Sequence, residues 1–251
     1  KAGVDFSDYN IDVTGKINVP ADVVRRRWLD NHFYGQIAAL SYIDSLNDLT
    51  IGGGWSVYDG LHFGTLPYLS QTFAPVNFRY YDNDALKKEM NSYVKWERKL
   101  TQKFKSFIDL QYRFVNHQMN GFTRNTDLEI ERSFNFFNPK MGLSYKAKNT
   151  FYYTSVAVAN KEPNRDDFEA SATEQPRREQ LIDWEAGFEF KKTKYAINAN
   201  FYYMDYKDQL VLTGKINDVG AYTRINVPKS YRTGVELQLK YAFNKYFNSS
   251  Y

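Results

Sequence analysis

The chain has 251 residues, no cysteine and a formal charge of +4 from 33 basic and 29 acidic side chains, spread along the sequence rather than blocked. The lack of thiols excludes disulfides, Cys-ligated metal and thiol chemistry. No run approaches about 18 apolar residues and the mean hydropathy is −0.62, which excludes a transmembrane helix. The 21 Tyr and 19 Phe nevertheless suit the two aromatic girdles of a membrane β-barrel, whose strands hide their hydrophobicity by alternating it.

In chain order, the first dense feature is Arg25, Arg26 and Arg27, which reads as a solvated loop face rather than a nucleic-acid patch. A tight polar link follows near Ser45–Asp48, then the GGG run of Gly52, Gly53 and Gly54. That run lacks the Lys and helix pattern of a phosphate loop and fits close packing or a bend in a barrel strand. DALKKEMNSYVKWERKL fits a helix capped by Asp84 as well as a strand with Met90, Val94, Trp96 and Leu100 on one face. The strand reading pairs it with the next segment across the link at Leu100–Lys103.

That next segment, LTQKFKSFIDLQYRFV, puts Phe104, Ile108, Leu110, Tyr112 and Phe114 on one parity and Lys103, Lys105, Asp109, Gln111 and Arg113 on the other. Period-two alternation is a strand pattern. Its length exceeds the about 5–6 residues usual in soluble proteins and fits the roughly 9–11 of a strand crossing hydrocarbon. IDWEAGFEF, YAINANFYY and TGVELQLKYAF repeat the logic: Trp184, Phe188, Phe190, Leu237, Leu239 and Tyr241 oppose Glu185, Glu189 and Glu236.

Short links at Lys146–Asn149, Lys191–Lys194 and Asn244–Lys245 alternate with long polar stretches at 61–86, 117–131, 160–179 and 207–228. The unit of short turn, strand, long loop and strand recurs roughly every 45–55 residues. A β-propeller has a similar period but packs four short strands into it, whereas this chain has two long ones. Short turns on one side and long loops on the other are the asymmetry of outer-membrane barrels. The expected fold is therefore all-β, an antiparallel up-and-down transmembrane meander of about ten strands.

Four passages resemble the TonB-dependent receptors of Gram-negative outer membranes: NPKMGLSYKAKNTFYYTSVAVANKEPNRDDF, REQLIDWEAGFEF, NFYYMDYKDQLVL and INVPKSYRTGVELQLKYAF. The likeness is clear over 138–243, weaker over 87–117 and faint before residue 60. It implies a 22-stranded barrel, of which residues 1–251 would be one β-barrel fragment lacking the plug domain, the TonB-binding segment and the closing strands. It also implies active import of a scarce solute such as a ferric siderophore or haem, with cobalamin or glycan as other cargoes. The partners would be outer-membrane lipid and, through the absent N-terminal segment, the TonB system. A surface adhesin with no transport is the other class.

No catalytic set, cofactor site or metal site is visible: His32, His62 and His117 are too scattered for ligand spacing. The expected solute contacts are His62, Arg79, Tyr80 and Tyr81 in the longest loop, with Arg165 and Tyr222 in other loops of the same side. Cationic and aromatic groups suit an anionic chelate or a planar ring; the bland reading is that such aromatics pack on one another. Asp109, Arg113, Glu185, Glu189, Glu236 and Lys240 are expected to face the lumen and contact plug or water.

Overall fold

A computed structural model describes residues 6–9, 11, 21–70, 73–122, 127–170, 175–216, 222–244 and 247–250. Ten strands form one sheet in sequence order: β1 (Val23–Ile43), β2 (Asn47–Leu69), β3 (Phe78–Lys99), β4 (Phe104–Asn120), β5 (Glu129–Lys146), β6 (Thr150–Lys161), β7 (Glu179–Lys191), β8 (Tyr195–Ile216), β9 (Tyr222–Asn244) and β10 (Phe247–Ser250). Every pairing is antiparallel. Among the described residues a 3-10 turn at Phe6–Tyr9 precedes β1, and one short α-helix, α1 (Arg165–Ala170), stands between β6 and β7. The sheet is open, with β1 and β10 each paired on one side among the described residues.

The alternation argument holds in β4, β7, β8 and β9, and the ambiguous segment from Asp84 onward is strand β3, not helix. The tight links lie together at one end. One is pinned by Asp44, whose carboxylate accepts from the Leu46 and Asn47 amides at 2.7 Å each. The Leu46 amide, then Asn47 and Tyr42, hold that carboxyl down at about 2. Two expectations are corrected. Arg25, Arg26 and Arg27 belong to strand β1, not to a loop. Of the stretches read as long loops, 61–86 and 207–228 are mostly strand, leaving connections of 70–77 and 217–221, whereas 117–131 and 160–179 contain the connections 121–128 and 162–178.

The outer face carries two aromatic rows. Near the tight turns, Phe104 meets Tyr145 at 4.6 Å between ring centroids, Tyr145 meets Tyr152 at 6.3 Å, Tyr152 meets Phe188 at 6.2 Å, and Phe190 meets Tyr195 at 5.7 Å. Farther up, Tyr203 stacks on Tyr231 at 6.0 Å, and the Tyr112 hydroxyl donates to Asn135. Eight to ten residues separate the rows along a strand, about 27–34 Å of extended chain. At a tilt of about 40° that is a height of roughly 21–26 Å, which matches the apolar band of a membrane barrel.

Above the upper row the alternation reverses. In β4 the buried side chains become Val115, His117 and Met119, with Asn116, Gln118 and Asn120 on the outer parity. In β5, Ile130 and Phe136 are buried while Glu129, Glu131 and Asn135 are exposed. The strands continue past the band into a region where water lies outside and side chains pack inside.

Glycines on the inner face admit rings from the next strand. Gly142 lies beneath Phe107 and Gly187 beneath Tyr153, where an added Cβ would come within 2.5 and 2.6 Å of those side chains. Such aromatic cover lets the wall bend without leaving a void.

Helix α1 shows how far the sheet curls. It reaches β4 through Phe168, which packs with Met119, and β9 through Asp167, which pairs with Arg224 at 2.9 Å. Five strand spacings of about 4.8 Å would separate β4 from β9 by roughly 24 Å in a flat sheet. A helix of six residues spans about 9 Å, so the sheet wraps around it. The face carrying α1 is the inner one.

Candidate ligand-binding site

The segment after β6 folds onto the inner face and is held there by four anchors. Arg113 donates to Glu162 from both terminal nitrogens, at 2.9 and 2.6 Å, and from Nε to Glu89 at 2.8 Å. Lys87 donates to Glu162 at 3.1 Å and lies 3.4 Å from Glu89. Arg165 donates to the Gly121 carbonyl at 2.6 Å, and its guanidinium lies 4.4 Å from the centre of the Phe122 ring. The backbone carries that carbonyl at a positive φ of 71°, a conformation that favours glycine. Finally, Phe168 is fully buried beside Met119, Phe122 and Ile130.

These anchors leave a cavity of about 490 Å³ between α1 and the wall of β2, β3 and β4, within the range of small-molecule sites. Tyr58, His62, Ala85, Met119 and Pro163 line it together with Lys87, His117 and Arg165. Burial alone would raise the Glu162 carboxyl, but the Arg113 hydrogen bonds outweigh it, supported by a backbone donor and Lys87, and hold it at about 2. Burial likewise draws the Arg165 guanidinium below its ordinary value, against the partial support of Glu169 and Asp166. His117 is 7% exposed, packs edge-on against Phe134 and Phe168, and its Nε2 has no hydrogen-bond partner among the described residues.

Of the six residues expected to contact solute, His62 and Arg165 converge on this cavity. Arg79, Tyr80 and Tyr81 do not join them. Arg79 lies 3.9 Å from the centre of the Phe63 ring and pairs with Asp82 at 3.0 Å; Phe63 stacks with Trp28 on the outer face. Tyr80 is buried against Tyr9 and Tyr81, at 5.2 and 5.0 Å, so aromatic packing takes both tyrosines. The Tyr222 side chain lies outside the described residues. His62, Arg79, Tyr80 and Tyr81 sit in β2 and β3 rather than in a loop, because both strands continue beyond the apolar band.

The register puts Asp109, Arg113, Glu185, Glu189, Glu236 and Lys240 on the inner face, opposite Trp184, Phe188, Leu237, Leu239 and Tyr241. Arg113 is the one of these that builds the cavity. Asp109 faces Lys95 at 3.8 Å. Sequence reasoning missed Lys87, His117 and Glu162. His117 and Lys87 are directly opposite across β3 and β4, a relation visible only once the register is known. Glu162 lies in a connection whose fold depends on Arg113 in a strand 49 residues earlier.

An open up-and-down meander with an apolar, aromatic-bounded outer face and a charged inner face is the wall of a β-barrel. The chain matches the model of the TonB dependent receptor-like β-barrel over residues 1–251, and it belongs to that family. Among solved structures it is similar to the copper transporter OprC, with TM-score 0.73 and 14% identity over 88% of this chain and 36% of that one. It is also similar to the unliganded ferric citrate transporter FecA (0.61, 13%, 88% and 33%) and to the FrpB iron transporter of Neisseria meningitidis (0.59, 14%, 86% and 35%). At these identities the likeness establishes the fold. The chain spans about a third of the length of these structures. No curated protein sequence matches it.

Proposed function

We propose that the chain forms part of the wall of a Gram-negative outer-membrane receptor that imports a scarce solute under force from the TonB system, without enzymatic chemistry. The remaining strands and the plug would come from elsewhere in a longer protein. Antiparallel edges cannot stay open in hydrocarbon, where their N–H and C=O groups meet no water. The observation that carries the reading is the pair of aromatic rows bounding an apolar outer belt, with the cationic cavity lying beyond that belt on the inner side.

For the cargo we propose an anionic iron chelate, such as a ferric siderophore, or haem. FecA and FrpB are named for ferric citrate and iron, and OprC for copper. A cavity lined by Lys87, Arg165 and two histidines favours a negatively charged complex over a bare cation. The test is uptake of labelled iron chelate by cells expressing the full-length protein, against cells expressing residues 1–251 alone. Import by the full-length protein, lost when the proton gradient is collapsed, is expected; the fragment should import nothing. Gradient-independent uptake, or uptake by the fragment, would overturn the proposal.

A further inference from the structure

We infer that the cavity beneath α1 is a carboxylate-binding subsite for an organic acid with an apolar body. The inference rests on the import reading for the fate of the ligand but not for its binding.

The charge balance of the cavity singles out one group. Lys87 and Arg113 share Glu89 and Glu162, and Lys161 lies 3.7 Å from Glu179. Arg165 has no carboxylate within ion-pair distance among the described residues. One of its five donors goes to the Gly121 carbonyl and its face is covered by Phe122. Among the described residues this half-buried guanidinium meets one carbonyl, one ring and the more distant charges of Glu169 and Asp166, so an anion in the cavity would be its nearest counter-ion, since burying a charge is costly unless it is paired.

A second group points the same way. His117 is packed between Phe134 and Phe168 and lines the same cavity, and its buried Nε2 has no hydrogen-bond partner among the described residues. A buried polar atom left unpaired in a native structure demands an explanation. As an Nε2–H donor, His117 supplies a second hydrogen bond to an anion on Arg165. One unbalanced cation calls for one negative charge, which fits a carboxylate and not a phosphate dianion. Within the lining, Tyr58, Ala85, Leu86, Met119 and Pro163, interspersed with Asn83, Gln118 and Asn164, accommodate an apolar body beside the charged head.

The probe is 4-phenylbutyrate, compared with its amide and with inorganic phosphate, titrated by calorimetry into the full-length receptor in detergent. The acid is expected to bind at least tenfold more tightly than the amide or phosphate. Arg165→Gln should remove that preference while leaving amide binding unchanged, and His117→Phe should weaken acid binding several-fold. Lys146→Gln, at the tight-turn end of β5 and outside the cavity lining, should change nothing. Hydrogen exchange at α1 checks that the strap stays in place. If Arg165→Gln releases it, Ala85→Leu decides: the larger side chain protrudes into the cavity, keeps every charge, and should weaken acid binding at least tenfold. Equal binding of acid and amide, preferential phosphate binding, no binding at all, or full binding by Ala85→Leu would each overturn the inference. Binding without gradient-driven uptake of any solute counts against import alone, and uptake of an iron chelate without acid binding counts against this subsite alone.

Discussion

Leu237→Arg tests the assignment of faces directly. Tyr241 and Tyr231 mark the two aromatic rows on β9, and their ten-residue separation corresponds to about 26 Å of height at a tilt of about 40°. Leu237 lies four residues from Tyr241, roughly 10 Å above the lower row, and 60% of it is exposed on the outer face. It therefore sits near the midplane, where an outward Arg costs about 2–4 kcal/mol, a shift of about 30- to 1,000-fold in the folding equilibrium. The adjacent Gln238 faces inward, so Gln238→Arg should cost less than about 0.5 kcal/mol. Tyr231→Arg, at the upper row, should lose only about 0–1 kcal/mol of lipid-transfer energy. The assay is urea-driven unfolding of the full-length receptor in lipid vesicles, followed by tryptophan fluorescence. If Gln238→Arg destabilises as much as Leu237→Arg, the assigned register is refuted.

Three further outcomes follow from the anchoring of α1 and the glycine contacts. The Glu162 carboxyl lies at about 2 against an ordinary 4.5, so its stabilisation, at most about 3 kcal/mol, is complete above pH 4.5 and is lost as pH falls from 4.5 through 2; wild-type hydrogen-exchange protection of α1 should decline over that window, and Glu162→Gln should be weakly protected throughout. Phe168→Ala removes a fully buried ring and should cost about 3–5 kcal/mol, seen as local exchange at α1 without loss of the strand amides in β4. Gly187→Val places its Cβ 2.6 Å from both the Ala199 carbonyl and the Tyr153 hydroxyl, and should lower the urea midpoint by an amount equivalent to about 1–3 kcal/mol, whereas an added side chain at Gly214 meets no atom within 4 Å but carries a positive φ of 77° and should show only a strain cost of about 1 kcal/mol.

The parts of the fold that were legible in sequence are those in contact with the apolar belt. From Phe104 to Phe114 the environment differs across the strand at every step, and the residue pattern copies it. At Val115 the apolar side moves inward while the outer parity becomes Asn116, Gln118 and Asn120. A search for one continuous phase ends there, so His117 and Met119 were assigned to a loop although the strand continues to Asn120. The same reversal hid the upper parts of β2 and β3, where Leu66 and Tyr80 are buried. The site depends on residues far apart in sequence: Arg113 with Glu162, Lys87 opposite His117, Asp167 with Arg224. Residue type identified Arg165 and His62 as candidates, but only the curl of the sheet brings them to one cavity.

The helix between β6 and β7 also acts as a mechanical strut. A curved sheet held only by its edges flexes along its long axis, and strain applied at one strand dissipates into its neighbours. With Phe168 seated near β4 and Asp167 paired to Arg224 on β9, α1 closes a chord across the arc, so spreading β4 from β9 loads that ion pair and that buried ring together with the Arg113, Lys87 and Arg165 anchors. The stiffness of half the wall is thus concentrated in α1 and its anchors, which also roof the cavity. Were the inferred subsite occupied, its ligand and the elasticity of the arch would be coupled through the same few bonds: a ligand that tightens Arg165 would stiffen the wall, and a pull that bends the wall would loosen the ligand.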